Sequence, residues 1–188
     1  MRNAPLDGAA WYTLSMNQRI NWNWRRLSRV ARRLPALVYL SQRIYRITQP
    51  KVSCGAVGVI FNAEGLILLV EHALHPKTPW GLPGGWMGRN ETPDETVQRE
   101  LLEETGLHIQ VIKPLLVART RLIPHHLDFA YLCYVIGRGE PIRLSDELLD
   151  YRWLDAKQTD TLPPLSKFHF AAVRAALAEW PIVSAAVS

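Results

Sequence analysis

The amino-acid sequence predicts a layered domain of the α/β or α+β class, preceded by a basic helical segment. Apolar runs typical of strands alternate with two helical patterns after residue 51, as expected of such layers. Residues 1–51 carry ten basic side chains and one acid, whereas the remainder is acidic overall. A chain of 188 residues can bury a core without a disulfide or a metal. We therefore expect two parts, residues 1–50 and 51–188, of which the second holds the layered core.

The predicted strands and loops follow in chain order. Residues 52–61 and 66–71 form a hairpin, because both runs are apolar and the turn at 62–65 contains Asn and Gly. A proline-containing loop and a glycine-rich stretch occupy residues 72–85. Further strands are predicted at residues 108–121, 127–136 and 151–154. Because Pro114 lacks a backbone donor, the first of these belongs at a sheet edge or a bulge.

Two helices are predicted in the same domain. Residues 93–105 form the first, because Thr92 with a glutamate three residues later makes a capping box and Gly106 suits the position after the last turn. Residues 166–178 form the second, which we expect to stop before Pro181. Its predicted apolar stripe consists of Phe168, Ala171, Ala172 and Ala175.

The end of the first helix carries three acids on one face. Glu100, Glu103 and Glu104 are spaced i, i+3 and i+4, so their like charges repel. Carboxylates in the last turns also oppose the helix dipole. One interpretation is a solvated acidic face that Arg99 partly relieves. The other is a divalent-cation site, where hard carboxylate oxygens without His or Cys favour Mg²⁺ or Mn²⁺ over Zn²⁺.

The spacing around these acids resembles the Nudix box. Gly85 is followed by five residues and Glu91, and then by seven residues and the run Arg99-Glu100-Leu101-Leu102-Glu103-Glu104-Thr105-Gly106-Leu107. Every fixed position of that motif is matched, and the preceding Leu82-Pro83-Gly84 is also similar to such proteins. The resemblance extends over residues 52–178 and leaves residues 1–50 as an addition.

The resemblance implies an α/β fold, the Nudix α/β/α sandwich with a mixed sheet. It also implies a pyrophosphohydrolase that cleaves nucleoside diphosphates linked to another moiety with the help of Mg²⁺ or Mn²⁺. The implied metal ligands are Glu100, Glu103, Glu104 and the carbonyl of Gly85. Arg99 and Glu91 become orienting residues joined by a salt bridge.

The chemistry of pyrophosphate hydrolysis agrees with that implication. Bound divalent ions neutralise phosphate oxygens and lower the pKa of a bound water, and a carboxylate then accepts the water proton. The base is either a glutamate of the motif or an acid from a later loop. Glu147 is the candidate for the later acid, and an ordinary turn residue is the alternative at that position.

Substrate contacts are predicted from residue types near the motif. Arg119 and Arg121 alternate along one strand face and suit a terminal phosphate. Trp86 and Phe129 are candidates for stacking on a base, although aromatic side chains in strands also serve the core. Further candidates for phosphate or base contact are His72, His75 and Lys77 on the loop before the motif, and His125 and His126 between two strands. The alternative for each histidine is an ordinary surface loop residue. The substrate types considered are ADP-ribose, nucleotide sugars and nucleoside triphosphates.

The basic segment is expected to be helical over residues 16–47, with a break at Pro35. Its alternatives are packing on its own domain or on a second copy in a homodimer, binding to nucleic acid, and lying on a membrane surface. If it grips RNA, the activity becomes 5′-end pyrophosphohydrolysis. A binding module without catalysis is the remaining alternative, which the complete set of acids disfavours.

The two cysteines, Cys54 and Cys133, each lie within an apolar run. This placement predicts reduced core thiols rather than a disulfide framework. No apolar stretch follows a positively charged start in the manner of a secretory signal. We therefore expect a cytoplasmic location.

Overall fold

The computed structural model describes residues 28–29, 31–120, 123–137, 141–155 and 162–187. The chain divides into two compact units, residues 1–50 and 51–188. The helices are α1 (Pro35–Thr48), α2 (Pro93–Thr105) and α3 (Lys167–Val187). The strands are β1 (Ser53–Phe61), β2 (Ile67–His72), β3 (Trp80–Gly81), β4 (Gly84–Trp86), β5 (Ile109–Arg119), β6 (His126–Val135) and β7 (Leu148–Leu154).

The first unit contributes α1, which begins at Pro35, where a missing backbone donor is harmless. Leu34 separates it from the helical residues 31–33, so the predicted break at this proline is confirmed. No residue of α1 is buried. The predicted helical residues 16–27 lie outside the described part of the chain. Within that described part, no helix is both long and apolar enough to traverse a bilayer.

The second unit is built on a mixed sheet. Its strand order is β3-β2-β1-β6-β5, with β4 also paired to β1 and β7 also paired to β2. β1 and β6 run parallel from the Ser53–His126 pair to the Phe61–Tyr134 pair. The other paired strands are antiparallel. The predicted α/β class with a mixed sheet is confirmed.

Both faces of this sheet are covered by a helix. β1 alternates between the faces, because successive side chains of a strand point in opposite directions. On one face Ala56 and Ile60 pack with Leu101 of α2. On the other face Val59 and Phe61 pack against α3. The fully buried α3 residues at this face are Ala172, Val173 and Ala176.

The prediction that α3 stops before Pro181 is wrong, since the helix continues to Val187. A proline inside a helix removes one hydrogen bond and adds a clash with the preceding turn. Trp180 holds that turn on the sheet, because its ring stacks on Phe61 with centroids 4.0 Å apart. Of the predicted apolar stripe, Ala172 is buried and Phe168 packs against the core, whereas Ala175 is half-buried and Ala171 is exposed.

Two strand predictions have definite outcomes. β5 is an edge strand whose register shifts on both sides of Pro114, so both the edge and the bulge are confirmed. β7 begins at Leu148, three residues before the predicted start, because its pairing with β2 extends from Leu154 back to that residue. Cys54 and Cys133 are free thiols, and Cys133 is fully buried.

Candidate active site

Local interactions fix both ends of α2, the helix that carries the acids. The backbone N–H of Thr92 donates to a carboxylate oxygen of Glu95 over 2.8 Å, as a capping box requires. At the other end Gly106 adopts a φ of 73°, and its N–H donates to the carbonyl of Leu102. Between them Leu101 is fully buried. The orientation of the acidic face therefore follows from the capping residues and the apolar anchor.

The three acids of α2 differ in their surroundings. Glu103 keeps a largely exposed side chain, whereas Glu104 is 5% exposed. Burial raises the pKa of Glu104 to about 8, and the nearby charges of Glu100 and Glu147 act in the same direction. The backbone N–H of Gly84 opposes this shift by donating to the Glu104 carboxylate over 3.0 Å. Glu104 therefore holds a proton at neutral pH unless a cation displaces it.

Glu100 lies under the glycine-rich turn. Burial raises its pKa, while the charge of Arg99 and a hydrogen bond from it act in the opposite direction. A Cβ atom on Gly85 would come within 2.5 Å of the Glu100 carboxyl group. Glycine is therefore required at residue 85 for the carboxylate to reach the backbone of β4.

Arg99 clamps the loop before the helix to the helix itself. Its Nε donates to Glu91 over 2.6 Å, and a second nitrogen donates to the carbonyl of Trp86 over 3.1 Å. Glu91 also accepts hydrogen bonds from Gly88 N–H and Thr96 Oγ1. The hydrogen bond from Arg99 is the main cause that lowers the pKa of Glu91 to about 2. The salt bridge implied by the motif is present, and it immobilises the loop that carries Gly85.

Arg99 also contacts the acids themselves. One guanidinium nitrogen lies 3.0 Å from Glu100 and 2.9 Å from Glu103. These contacts relieve the like-charge repulsion that the spacing creates. In the arrangement seen for the described residues, no three His, Cys, Asp or Glu side chains form a metal cluster. The donor set is nevertheless one of hard oxygens, and Glu104 has no cationic partner among the residues that the structure describes.

A later loop brings a fourth acid towards this cluster. Backbone N–H groups of Arg143 and Ser145 donate to the carbonyls of Thr105 and Glu104 over 2.9 Å each. These bonds satisfy carbonyls that the end of α2 leaves without partners. They also place Glu147 near enough for its charge to raise the pKa values of Glu100 and Glu104.

The predicted substrate residues do not converge on one place. Arg119 lines a cavity of about 960 Å³ on the α3 face of the sheet. Trp86 is mostly exposed and packs its ring against His126, with centroids 4.6 Å apart. Phe129 packs within the core on the α2 face instead of lining the cavity. Arg121 lies outside the described residues.

The cavity contains one group that the sequence did not single out. His169, in the first turn of α3, lies beside His72 and His75, which were predicted as loop candidates. Almost one hundred residues separate His169 from them in the chain, so no local pattern could connect them. Lys77 and Lys167 also line this cavity.

Comparison with known proteins agrees with the geometry. A family model described as "NUDIX domain" matches residues 52–176. The chain is 36% identical over 75 residues to a MutT-like protein of Streptomyces ambofaciens. The aligned segment covers 40% of this chain and 47% of the relative. It is 33% identical over 122 residues to the 8-oxo-dGDP phosphatase NUDT18 of Danio rerio. This aligned segment covers 63% of this chain and 37% of the relative.

Solved structures show the same fold. A MutT/nudix family protein from Enterococcus faecalis superimposes with a TM-score of 0.59 at 25% identity, over 78% of this chain and 70% of that one. The chain spans less than half the length of the two curated relatives. The family model, in contrast, covers about two thirds of this chain and includes the whole clamp and acid cluster. This chain therefore belongs to the Nudix family.

Proposed function

We propose that the chain is a divalent-cation-dependent hydrolase that cleaves the pyrophosphate bond of a nucleoside diphosphate linked to another moiety. The observation that carries the proposal is the buried carboxyl of Glu104, whose pKa the charges of Glu100 and Glu147 raise further and which has no cationic partner in the described part of the chain. Burial of an ionised carboxylate raises the free energy of the folded protein unless a cation pairs with it or a proton neutralises it. The relative from Danio rerio is named an 8-oxo-dGDP phosphatase, which supports a nucleotide substrate with a diphosphate group.

The residues of the site have different roles in the proposed reaction. Glu100, Glu103 and Glu104, with the carbonyl of Gly85, would hold Mg²⁺ or Mn²⁺ once Arg99 releases the carboxylates that it contacts. A bound ion would neutralise the phosphate oxygens and acidify a water. Glu147 stands on a separate loop and is our candidate for the base that takes the proton from the attacking water. Arg99 and Glu91 keep the glycine turn in place.

The test is a hydrolysis panel with and without metal. The substrates are ADP-ribose, a nucleotide sugar, 8-oxo-dGDP, nucleoside triphosphates and 5′-triphosphorylated RNA, each with Mg²⁺, with Mn²⁺ and with a chelator. We expect metal-dependent release of a nucleoside monophosphate, with ¹⁸O from labelled water in the phosphate that is attacked. The variants Glu103→Gln and Glu104→Gln should lose this activity by at least about a hundredfold.

A matched control distinguishes the loss of a carboxylate of the site from the loss of one negative charge elsewhere in the protein. Glu64 is exposed in the turn between β1 and β2, so Glu64→Gln removes the same charge away from the cluster. It should hydrolyse substrate like the wild type. Activity that persists in the chelator, or in both site variants, would contradict the proposal. Glu147→Gln should lower kcat more than it changes metal affinity if its carboxylate is the base.

The helix of the first unit supports a second candidate function, binding to an anionic membrane surface. Leu37, Leu40, Ile44 and Ile47 recur at helical spacing and are all more than half exposed. Arg43 and Arg46 flank this line, and residues 28–51 contain no acid. Such helices lie in the headgroup region of anionic lipid. Co-sedimentation should occur with phosphatidylserine vesicles and not with phosphatidylcholine vesicles, and should weaken in Leu40→Glu; binding of RNA instead would favour the nucleic-acid alternative.

A further inference from the structure

The cavity on the α3 face contains none of the α2 acids among its described lining residues. Its wall includes the loop after β2, the ends of β3, β5 and β6, and the first turns of α3. At about 960 Å³ it is large enough for half of a nucleotide-type substrate. Its floor contains apolar side chains, including Trp80, Leu116 and Phe168. Its described lining contains none of the residues that have a role in the proposed hydrolysis.

Two glycines connect a residue of the acid cluster to a residue that lines the cavity. Gly85 lies against the Glu100 carboxyl group, as described above. A Cβ atom on Gly55, which neighbours it on β1, would lie 3.4 Å from the Gly85 carbonyl oxygen and 3.2 Å from Asp128 Oδ1. Asp128 in turn lines the cavity. A short run of contacts from Glu100 to Asp128 therefore joins the acid cluster to the cavity.

Three imidazoles converge at one end of the cavity. The rings of His72 and His75 have centroids 4.9 Å apart. His169 accepts a hydrogen bond from the N–H of Leu82 at Nδ1 over 3.3 Å, so its Nε2 carries the proton in the neutral tautomer. Burial, followed by the neighbouring histidines, lowers the pKa values of His72 and His169 to about 4. At neutral pH both rings are uncharged and can offer N–H donors without mutual repulsion.

The same cavity is rich in cations. Lys77, Lys167 and Arg119 line it, and none of them has a carboxylate partner within the described residues. Its acid, Asp128, lies 3.0 Å from Nε2 of His126. The first turn of α3 contributes the positive end of the helix dipole. Among the described lining residues, the two lysines and the arginine therefore outnumber the acid.

We propose that this cavity is an anion subsite, which binds a phosphate group that the substrate carries in addition to the pyrophosphate. The inference rests on the proposed function, because it places the scissile bond at the acids and the second phosphate beyond Gly55 and Gly85. The three imidazoles donate to the phosphate oxygens, and Lys77 and Lys167 balance the charge. The preferred substrate is accordingly a nucleoside diphosphate derivative with a phosphate monoester on one of its halves.

The decisive experiment needs no turnover. Inorganic phosphate is titrated into the metal-free full-length protein in the presence of a chelator, and imidazole signals are followed by NMR. Without metal the acid cluster repels phosphate, so binding reports on the cavity. We expect the signals of His72, His75 and His169 to shift together, and the titration midpoints of His72 and His169 to rise. The signals of His108 and His125, which do not line the cavity, should stay in place.

Matched variants test whether the two lysines of the cavity bind phosphate. Lys77→Gln and Lys167→Gln should each weaken phosphate binding about tenfold, the effect of losing one charged hydrogen bond. Lys51→Gln removes the same charge from an exposed position outside the cavity and should bind phosphate as the wild type does. Absence of imidazole shifts at millimolar phosphate, or equal losses in all three variants, would overturn the inference.

A kinetic comparison separates this inference from the proposed function. NADPH and NADH differ by one phosphate monoester, and we expect kcat/KM to favour NADPH about tenfold in the wild type. His75→Gln should abolish that preference mainly through KM while hydrolysis of NADH continues. If the protein hydrolyses neither compound, the proposed function is in question, whereas the binding experiment still decides the subsite. Equal kcat/KM for the two compounds would count against the subsite alone.

Discussion

Removing the carboxyl group of Glu104 should change the pH dependence of stability in the metal-free protein. The folded protein raises the pKa of this group from 4.5 to about 8, mainly by burial. An acid with a raised pKa favours the folded state below its unfolded pKa, and that advantage is lost as pH rises towards the folded value. In Glu104→Gln the amide can still accept the hydrogen bond from Gly84 N–H but does not titrate.

The magnitude follows from the two pKa values. One pKa unit corresponds to about 1.4 kcal/mol, so between pH 5 and pH 8 the wild type should lose about 3 kcal/mol of unfolding free energy through Glu104. Glu104→Gln should lack this loss. The gap between variant and wild type should therefore grow by about 3 kcal/mol in favour of the variant over that range.

Urea unfolding at pH 5 and pH 8 in a chelator measures this gap. Glu64→Gln, at an exposed turn, serves as the control and should show no such change. If the ionised carboxylate is a metal ligand as proposed, addition of Mg²⁺ at pH 8 should stabilise the wild type more than Glu104→Gln. A gap that is the same at both pH values would refute the assignment of Glu104 as a buried acid with a raised pKa.

Three further outcomes follow from the contacts of the site. Glu91→Gln should lower the thermal midpoint at pH 7, and the difference should shrink as pH falls through about 2, since the Arg99 hydrogen bond depresses the pKa of Glu91; melts at several pH values test this, and a constant difference would argue against it. Gly85→Ala should weaken Mg²⁺ binding in calorimetry at least about tenfold, because its Cβ would come within 2.5 Å of the Glu100 carboxyl group; unchanged affinity would remove this carboxylate from the ligand set. Leu101→Ala should cost about 2–5 kcal/mol in urea unfolding, as expected at a fully buried site, and a loss below about 1 kcal/mol would contradict that burial.

The sequence predicted the acid-bearing helix well because its signals are local. Thr92 and Gly106 mark its ends through interactions that span three or four residues. The same is true of Pro114, whose missing donor is enough to place it at a sheet edge. For these features the physical cause and the sequence pattern lie within one short window.

Features that depend on distant partners were missed. α3 continues past Pro181 because Trp180 stacks on Phe61, a residue more than a hundred positions earlier in the chain. His169 reaches His72 only because α3 and the loop after β2 meet on the same face of the sheet. Neither contact leaves a periodic trace in the sequence, so only the folded arrangement brings them together.

Like charges are clustered at two places in the second unit, and each cluster lowers the stability of the folded protein. The acids of α2 repel one another and oppose the helix dipole, and burial keeps a proton on Glu104. The capping residues and the buried Leu101 hold the helix in place in spite of this. In the cavity on the α3 face, basic side chains and three imidazoles outnumber the acid Asp128 among the described lining residues. Each cluster is unfavourable alone, and an anionic substrate that arrives with a divalent cation would relieve both. The two sites should therefore be coupled, with phosphate in the cavity tightening the binding of the metal-bound pyrophosphate.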